Sequence, residues 1–169
     1  MSEDVGPLLK VLRDHRVDAV VIGGIAAVAL GVPCVTKDVD ICYDPQPENT
    51  ARLVTALRAV NARLRVARMS DEEAQALPFS LDERSLKDAE MLTLQTDVGA
   101  LDLVQVLPGI GGYQEVRAAA VEVEAFGVSV PVLDLPGLIA NKTATARPKD
   151  LVTLPLLEAT LRERQLREG

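Results

Sequence analysis

Residues 18–43, DAVVIGGIAAVALGVPCVTKDVDICY, contain two short apolar runs with an alanine-rich segment between them. The first run, 18–23, is stopped by two glycines, Gly23 and Gly24, and has the pattern of a buried strand. Residues 25–30 are predicted to form a short helix that ends at a glycine. The second run, 39–43, is predicted to be another strand. This order favours an α/β (α+β) class, with a mixed β-sheet flanked by helices.

Two acidic residues, Asp38 and Asp40, stand at the start of the second predicted strand. Residues i and i+2 of a strand point to one face, about 6.5–7 Å apart. Two carboxylates on one face repel each other unless a cation lies between them. Mg²⁺ suits this position, because it binds one or two carboxylates together with substrate phosphate oxygens. A pair of Mg²⁺ ions would also need a third acid from another strand.

Asp102 is the candidate third acid, since it is the single charge in the apolar run ALDLV (residues 100–104). A buried, unpaired carboxylate is costly, so we expect either a metal ion or a salt bridge to Arg or Lys. Gly23 and Gly24 lack side chains, which would let backbone N–H groups approach a triphosphate. A simple turn is the alternative explanation for this pair.

The rest of the chain is predicted to form further helices and strands, apart from residues 68–88, which are charged and turn-rich and are expected to be a variable or mobile insert. Asn49 or Thr50 is the expected cap of the second long helix. Pro148 and Pro155 are expected to interrupt the last helical section. The predicted segments are helices at 3–16, 49–65 and 114–120, strands at 90–96 and 100–107 joined as a hairpin, strands at 121–125 and 128–132, and helices from 135 to 167. We expect a core of residues 1–134 and a C-terminal helical segment of residues 135–169 packed on it.

Composition limits the classes of function. The 18 basic and 25 acidic residues give a net charge of −7, which disfavours a non-specific nucleic-acid binder. There are two Tyr, two Phe and no Trp, two cysteines without zinc-site spacing, and a single His, which rules out a serine triad. The apolar stretch 17–35 is interrupted by Asp18 and Pro33, and the chain begins with the acidic sequence MSED. We therefore expect a cytoplasmic protein with no signal peptide and no membrane span.

These motifs together resemble the DNA polymerase beta-like nucleotidyltransferase superfamily. The likeness is closest to bacterial AbiEii/AbiGii-type nucleotidyltransferases, many of which are toxins of toxin–antitoxin pairs. It extends over residues 17–158 and rests on the Gly-Gly turn and on four further motifs, TKDVD (36–40), GALDL (99–103), LIANK (138–142) and RPKD (147–150). The resemblance implies magnesium-dependent transfer of a nucleoside monophosphate from a nucleoside triphosphate (NTP) to an acceptor.

The resemblance also implies a role for each matching residue. The predicted metal ligands are Asp38, Asp40 and Asp102, and the predicted nucleotide-binding residues are Gly23, Gly24, Thr36, Lys37, Lys142 and Arg147. The three acids, Lys142 and Asp150 are the predicted catalytic residues. Two alternatives remain from the sequence: Lys142 could extend to solvent from its helix, and Asp150 could simply cap the next helix.

The acceptor and the partners are less well defined by the sequence. The acceptor would be a tRNA 3′ end in a toxin, with a cognate antitoxin protein as partner, or a small molecule such as an aminoglycoside or lincosamide. A different class of function is a non-catalytic nucleotide-binding or antitoxin partner. The complete set of acids argues against that class, as do the thirteen residues between Gly24 and Asp38, since small antitoxin members have a shorter spacer.

Overall fold

A seven-stranded mixed β-sheet forms the centre of the fold in the computed structural model, which describes residues 4–169. Its strands are β1 Ala19–Ile22, β2 Val39–Tyr43, β3 Arg63–Leu64, β4 Met91–Thr96, β5 Gly99–Val104, β6 Ala120–Ala125 and β7 Val128–Leu133. Their order in the sheet is β3-β4-β5-β2-β1-β7-β6. The β2–β5 and β1–β7 pairs are parallel and the other four are antiparallel. The predicted α/β class with a mixed sheet is confirmed.

Helices flank this sheet. They are α1 Gly6–Asp14, α2 Gly23–Ala29, α3 Pro47–Ala59, α4 Asp71–Gln75, α5 Glu83–Asp88, α6 Tyr113–Ala118, α7 Leu135–Thr145 and α8 Pro148–Glu168. The predicted first helix included Glu3, which lies outside the described residues. Across residues 4–169, no helix has both the length and the apolar character needed to cross a membrane. The start of α7 at Leu135 coincides with the predicted start of the C-terminal segment, whose division from the core stays a prediction.

The core is mainly aliphatic, as the scarcity of aromatic residues predicts. Leu53 and Leu57 of α3 pack with Leu101 and Leu103 of β5 in one cluster, and each is at most 1% exposed. Tyr43 is the aromatic exception: it is buried, and its hydroxyl donates a 2.8 Å hydrogen bond to the Leu86 carbonyl. The sheet is therefore covered by leucine-rich helices, and this packing holds its strands in register.

The predicted helix at 49–65 was wrong at both ends. The helix begins at Pro47, which suits the first helical position because it needs no N–H partner there. It ends at Ala59, and Asn61 then takes a left-handed conformation with φ of +51°. Leu64 consequently belongs to β3 and not to the helix.

Pro155 does not interrupt the last helix, contrary to the prediction. Helix α8 runs through it from Pro148 to Glu168. A proline removes the hydrogen bond to the carbonyl four residues earlier, which here belongs to Leu151. Because Leu151 is 57% exposed, water can solvate that carbonyl. The predicted break at Pro148 is correct, since α7 ends at Thr145 and Pro148 opens α8.

Asn49 is not a helix cap but a buried bridge between loops. It is 1% exposed. Its Oδ1 accepts a 2.7 Å hydrogen bond from the Asp18 N–H, and its Nδ2 donates to the Asp18 and Asp44 carbonyls at 2.9 and 2.8 Å. The side chain thus joins the start of β1 to the turn after β2.

We predict that Asn49→Ala lowers the free energy of unfolding by about 2–3 kcal/mol, because buried backbone groups lose their partners. Urea unfolding would measure this loss. Thr55→Ala is the control on the same helix: Thr55 is exposed and bonds only to a carbonyl one turn earlier. The free energy of unfolding of Thr55→Ala should fall by no more than about 0.5 kcal/mol. Equal losses in the two variants would contradict the bridging role.

Candidate active site

Asp40 and Asp102 lie side by side on neighbouring strands. The parallel strands β2 and β5 pair Asp40 with Asp102 directly, so both side chains project from the same face of the sheet. Asp38 lies two residues before Asp40 and directly precedes β2, whose bounds match the predicted strand 39–43. The structure therefore brings together the three acids that the sequence selects, although they are separated by as many as 64 residues along the chain.

The electrostatics of this face favour a cation. Burial, together with the negative charges of Asp102 and Asp38, raises the pKa of Asp40 to about 7, while the charge of Lys142 opposes the shift. A raised carboxyl pKa means that no nearby positive charge fully stabilises the ionised carboxylate. The available donors are carboxylate oxygens, which are ligands that Mg²⁺ prefers. The donor set fits the predicted metal, but the assignment of these acids as its ligands stays a prediction.

Arg65 is a neighbour of the acids that the sequence analysis missed. Its N–H bonds to the Thr93 carbonyl at the edge of β3, and Thr93 pairs with Asp102. One guanidinium nitrogen, Nη2, donates to Asp102 Oδ1 at 3.2 Å and to Asp38 Oδ2 at 3.4 Å. The salt-bridge alternative for Asp102 is thus present in the structure. The alternation of basic and apolar residues in RLRV (63–66) could have indicated a strand with basic residues on one face.

Within residues 4–169, no group of three or more His, Cys, Asp and Glu side chains is arranged to hold a metal ion. The Arg65 guanidinium instead lies between two of the acids and forms a salt bridge to Asp38 and another to Asp102. This guanidinium occupies the position of a counter-ion for two of the three predicted ligands.

The two glycines are required by close packing as well as by any ligand. Gly23 has a φ of +66°, and a Cβ atom there would collide with the Asp40 carboxylate. A Cβ atom on Gly24 would lie 2.6 Å from Thr36 Oγ1. Within the described part of the chain, no side chain caps the first turn of α2, so its N–H groups remain open to another acceptor. The turn thereby places backbone donors directly beside Asp40.

The predicted basic residues gather around Asp150. This carboxylate is fully buried and accepts from Lys142 Nζ at 3.0 Å, from Arg147 Nε at 2.8 Å and from Thr145 Oγ1 at 2.6 Å. Burial by itself raises the pKa of Asp150, but the hydrogen bonds from Arg147, Thr145 and Lys142 outweigh it and hold the pKa well below its usual range. Asp150 also caps α8 by accepting from the Arg147 N–H. Its oxygens are occupied by protein donors, so it positions Lys142 and Arg147.

A cleft of about 680 Å³ connects the acids to these basic residues. It is lined by eight of the ten predicted site residues, namely Gly23, Gly24, Thr36, Asp38, Asp40, Asp102, Lys142 and Arg147. The other two, Lys37 and Asp150, do not line it: Lys37 is exposed and Asp150 is buried behind Lys142. Sequence reasoning missed the apolar wall, formed by Val35, Met91, Val104 and Val106. Lys149 of the RPKD motif, which was not among the predicted site residues, also lines the cleft. Among the described residues, no aromatic side chain lines the cleft.

Two solved structures with a similar fold are nucleotidyltransferases that act on antibiotics. The lincosamide antibiotic adenylyltransferase LnuA, with lincomycin bound, is 14% identical, with 95% of this chain and 98% of that chain covered and a TM-score of 0.62. ANT(2'')-Ia in complex with adenylyl-2''-tobramycin is also 14% identical, with coverage of 95% and 88% and a TM-score of 0.58. No family model matches the chain, and no curated protein matches it either. The chain therefore has the nucleotidyltransferase fold, which confirms that part of the predicted resemblance.

We predict that Asp150→Asn lowers the free energy of unfolding by about 3 kcal/mol, because Lys142 and Arg147 then lack their buried counter-ion. Thermal and urea unfolding would measure the change. The matched control is Asp134→Asn: Asp134 caps α7 through a 2.8 Å hydrogen bond from the Gly137 N–H. Asn caps helices as well as Asp does, so this variant should lose less than about 0.5 kcal/mol. If both variants are equally stable, Asp150 does not organise the cationic wall of the cleft, which Lys142 and Arg147 form.

Proposed function

We propose that this chain is a magnesium-dependent nucleotidyltransferase that moves a nucleoside monophosphate from an NTP to an acceptor. The observation that carries the proposal is the in-register pair of Asp40 and Asp102, with Asp38 beside it, in a cleft that also contains Lys142. A cluster of acids opposite a cationic wall suits a triphosphate with its divalent cations. The nucleotidyltransferase fold of the structural neighbours supports the same reaction.

The basic side of the cleft would hold the triphosphate. Lys142 and Arg147 supply positive charge, and the backbone N–H groups at Gly23 and Gly24 supply donors that need no side-chain movement. Thr36 and Lys37 would complete the nucleotide-binding set. Lys142 has the further role of balancing the charge that develops on the departing pyrophosphate.

The acids would act at the reacting phosphorus. An acceptor oxygen attacks the α-phosphorus, the bond from that phosphorus to the bridging oxygen breaks, and pyrophosphate leaves with the bonding electrons. Asp102 would assist by accepting the proton of the attacking hydroxyl. Two Mg²⁺ ions bound by Asp38, Asp40 and Asp102 would neutralise the phosphate charge and increase the nucleophilicity of the attacking oxygen.

The resemblance to AbiEii/AbiGii-type proteins supports a tRNA 3′ end as the acceptor. In that case the chain would be the bacterial toxin of a toxin–antitoxin pair, would work in the cytoplasm and would bind a cognate antitoxin protein. Lys149 is consistent with an anionic acceptor, since it lines the cleft and forms no ion pair among residues 4–169.

A small hydroxyl-bearing molecule is the second candidate acceptor, and the apolar wall favours it. Val35, Met91 and Val106 line the cleft although they are 90%, 56% and 62% exposed. Single-stranded RNA is commonly bound by stacking on aromatic side chains, and this cleft offers none from the described residues. The ligands bound to LnuA and ANT(2'')-Ia, lincomycin and an adenylylated tobramycin, are small molecules.

We predict transfer of label when the purified protein is incubated with each α-labelled NTP, Mg²⁺ and an acceptor. One set of reactions contains total tRNA, and the other contains a panel of aminoglycosides and lincosamides. Asp40→Asn should slow transfer at least about 100-fold, because the reacting atoms lose their alignment. Asp44→Asn is the control, since Asp44 follows β2 and its side chain bonds, among residues 4–169, only to the nearby Gln46 N–H. Absence of both transfer and magnesium-dependent NTP binding would refute the enzymatic proposal.

We also predict that Gly23→Ala abolishes transfer while Gly31→Ala preserves it. Both glycines have positive φ, +66° and +89°, so each alanine should cost about 1–2 kcal/mol of stability. The added methyl group at Gly31 meets nothing within 4 Å, whereas at Gly23 it collides with the Asp40 carboxylate. Thermal unfolding would confirm similar stability, and the transfer assay would separate the variants. Equal activities would show that the close approach of Gly23 to Asp40 is dispensable.

A further inference from the structure

The Arg65 guanidinium stands where the proposed reaction requires a metal ion. It contacts Asp38, which directly precedes β2, and Asp102 of β5 through the single nitrogen Nη2. A cation at this point reduces the repulsion between the acids in the absence of metal. It also opposes a second cation, since two positive charges a few ångströms apart repel strongly in a partly buried site.

The contacts of Arg65 are weaker than those of the other arginine bound to a site carboxylate. Arg147 meets Asp150 through two nitrogens, at 2.8 and 3.3 Å. Arg65 instead shares one nitrogen between two acids, at 3.2 and 3.4 Å, and its buried Nε has no hydrogen-bond partner among residues 4–169. Paired, short contacts are the strong form of an arginine–carboxylate interaction. Arg65 is therefore held loosely enough to be displaced.

We infer that Arg65 is an internal counter-ion that competes with the divalent cation for Asp38 and Asp102. This inference rests on the proposed function. Metal binding then requires the guanidinium to leave the acids, and the negative triphosphate provides a new partner for it. The nucleotide and the metal would consequently bind cooperatively, and the site would bind divalent cations weakly without nucleotide. Arg65 is a positioning residue in this scheme.

The test measures Mn²⁺ binding to the whole chain without nucleotide, by the electron paramagnetic resonance signal of the free ion. Arg65→Gln removes the charge and should bind Mn²⁺ at least about tenfold more tightly than the wild type. Arg65→Lys keeps the charge and should stay close to the wild type. The matched control is Arg63→Gln, two residues earlier in β3 and with the same change in net charge. Arg63 pairs with Asp71 and Asp97 and not with the acids of the cleft. The Mn²⁺ affinity of Arg63→Gln should therefore equal that of the wild type.

A second measurement adds an NTP analogue that cannot be cleaved at the α-phosphate. The analogue should increase the Mn²⁺ affinity of the wild type more than that of Arg65→Gln, in which the competing charge is already absent. Unfolding midpoints would show that each variant is folded.

Two results would overturn the inference. Equal Mn²⁺ affinities in the wild type and Arg65→Gln would show that Arg65 does not compete, and weaker binding in Arg65→Gln would show that it helps to build the metal site. In either case, label transfer by the wild type would still support nucleotidyl transfer. No Mn²⁺ binding by any variant, together with no transfer, would remove both the inference and the proposed function.

Discussion

The direct pairing of Asp40 with Asp102 across β2 and β5 is the constraint on which the site depends. Two acids held side by side are unfavourable, and the raised pKa of Asp40 reflects both its burial and this proximity. The surroundings compensate by geometry and charge: Gly23 provides room for the carboxylate, and Arg65 supplies a cation. Such an arrangement reduces stability locally and is typical of a site that has a ligand to bind.

Asp150 is the second organising charge, and its environment is the reverse of that of Asp40. It is a single buried anion surrounded by donors, so its pKa falls and not one of its oxygens is left for substrate. Its interactions join α7 to α8, because Lys142 lies on the first helix and Arg147 precedes the second. The acidic face of the sheet and the cationic wall therefore belong to separate elements, and Lys142 reaches from one toward the other.

The sequence predicted the order of strands and helices around residues 18–43 well, because each of those elements is encoded by an uninterrupted local pattern. It was less reliable where tertiary contacts override such patterns. Leu64 continued an apparent helical repeat, but the left-handed Asn61 turns the chain and Leu64 joins the sheet opposite Leu94. Pro155 resembled a helix breaker, yet α8 continues through it, and the residue that loses its hydrogen bond, Leu151, is exposed.

The sequence by itself selected the candidate acids, the Gly-Gly turn and the basic residues near the C-terminus, because short spacings and a lone charge in an apolar run are visible without a structure. Only the tertiary structure decided how they meet. The contacts of Arg65 with Asp38 and Asp102 join residues 27 and 37 positions apart. They exist because β3 pairs with β4 and β4 pairs with β5 in one particular register. A strand register depends on packing across the whole sheet, and local spacing does not encode it.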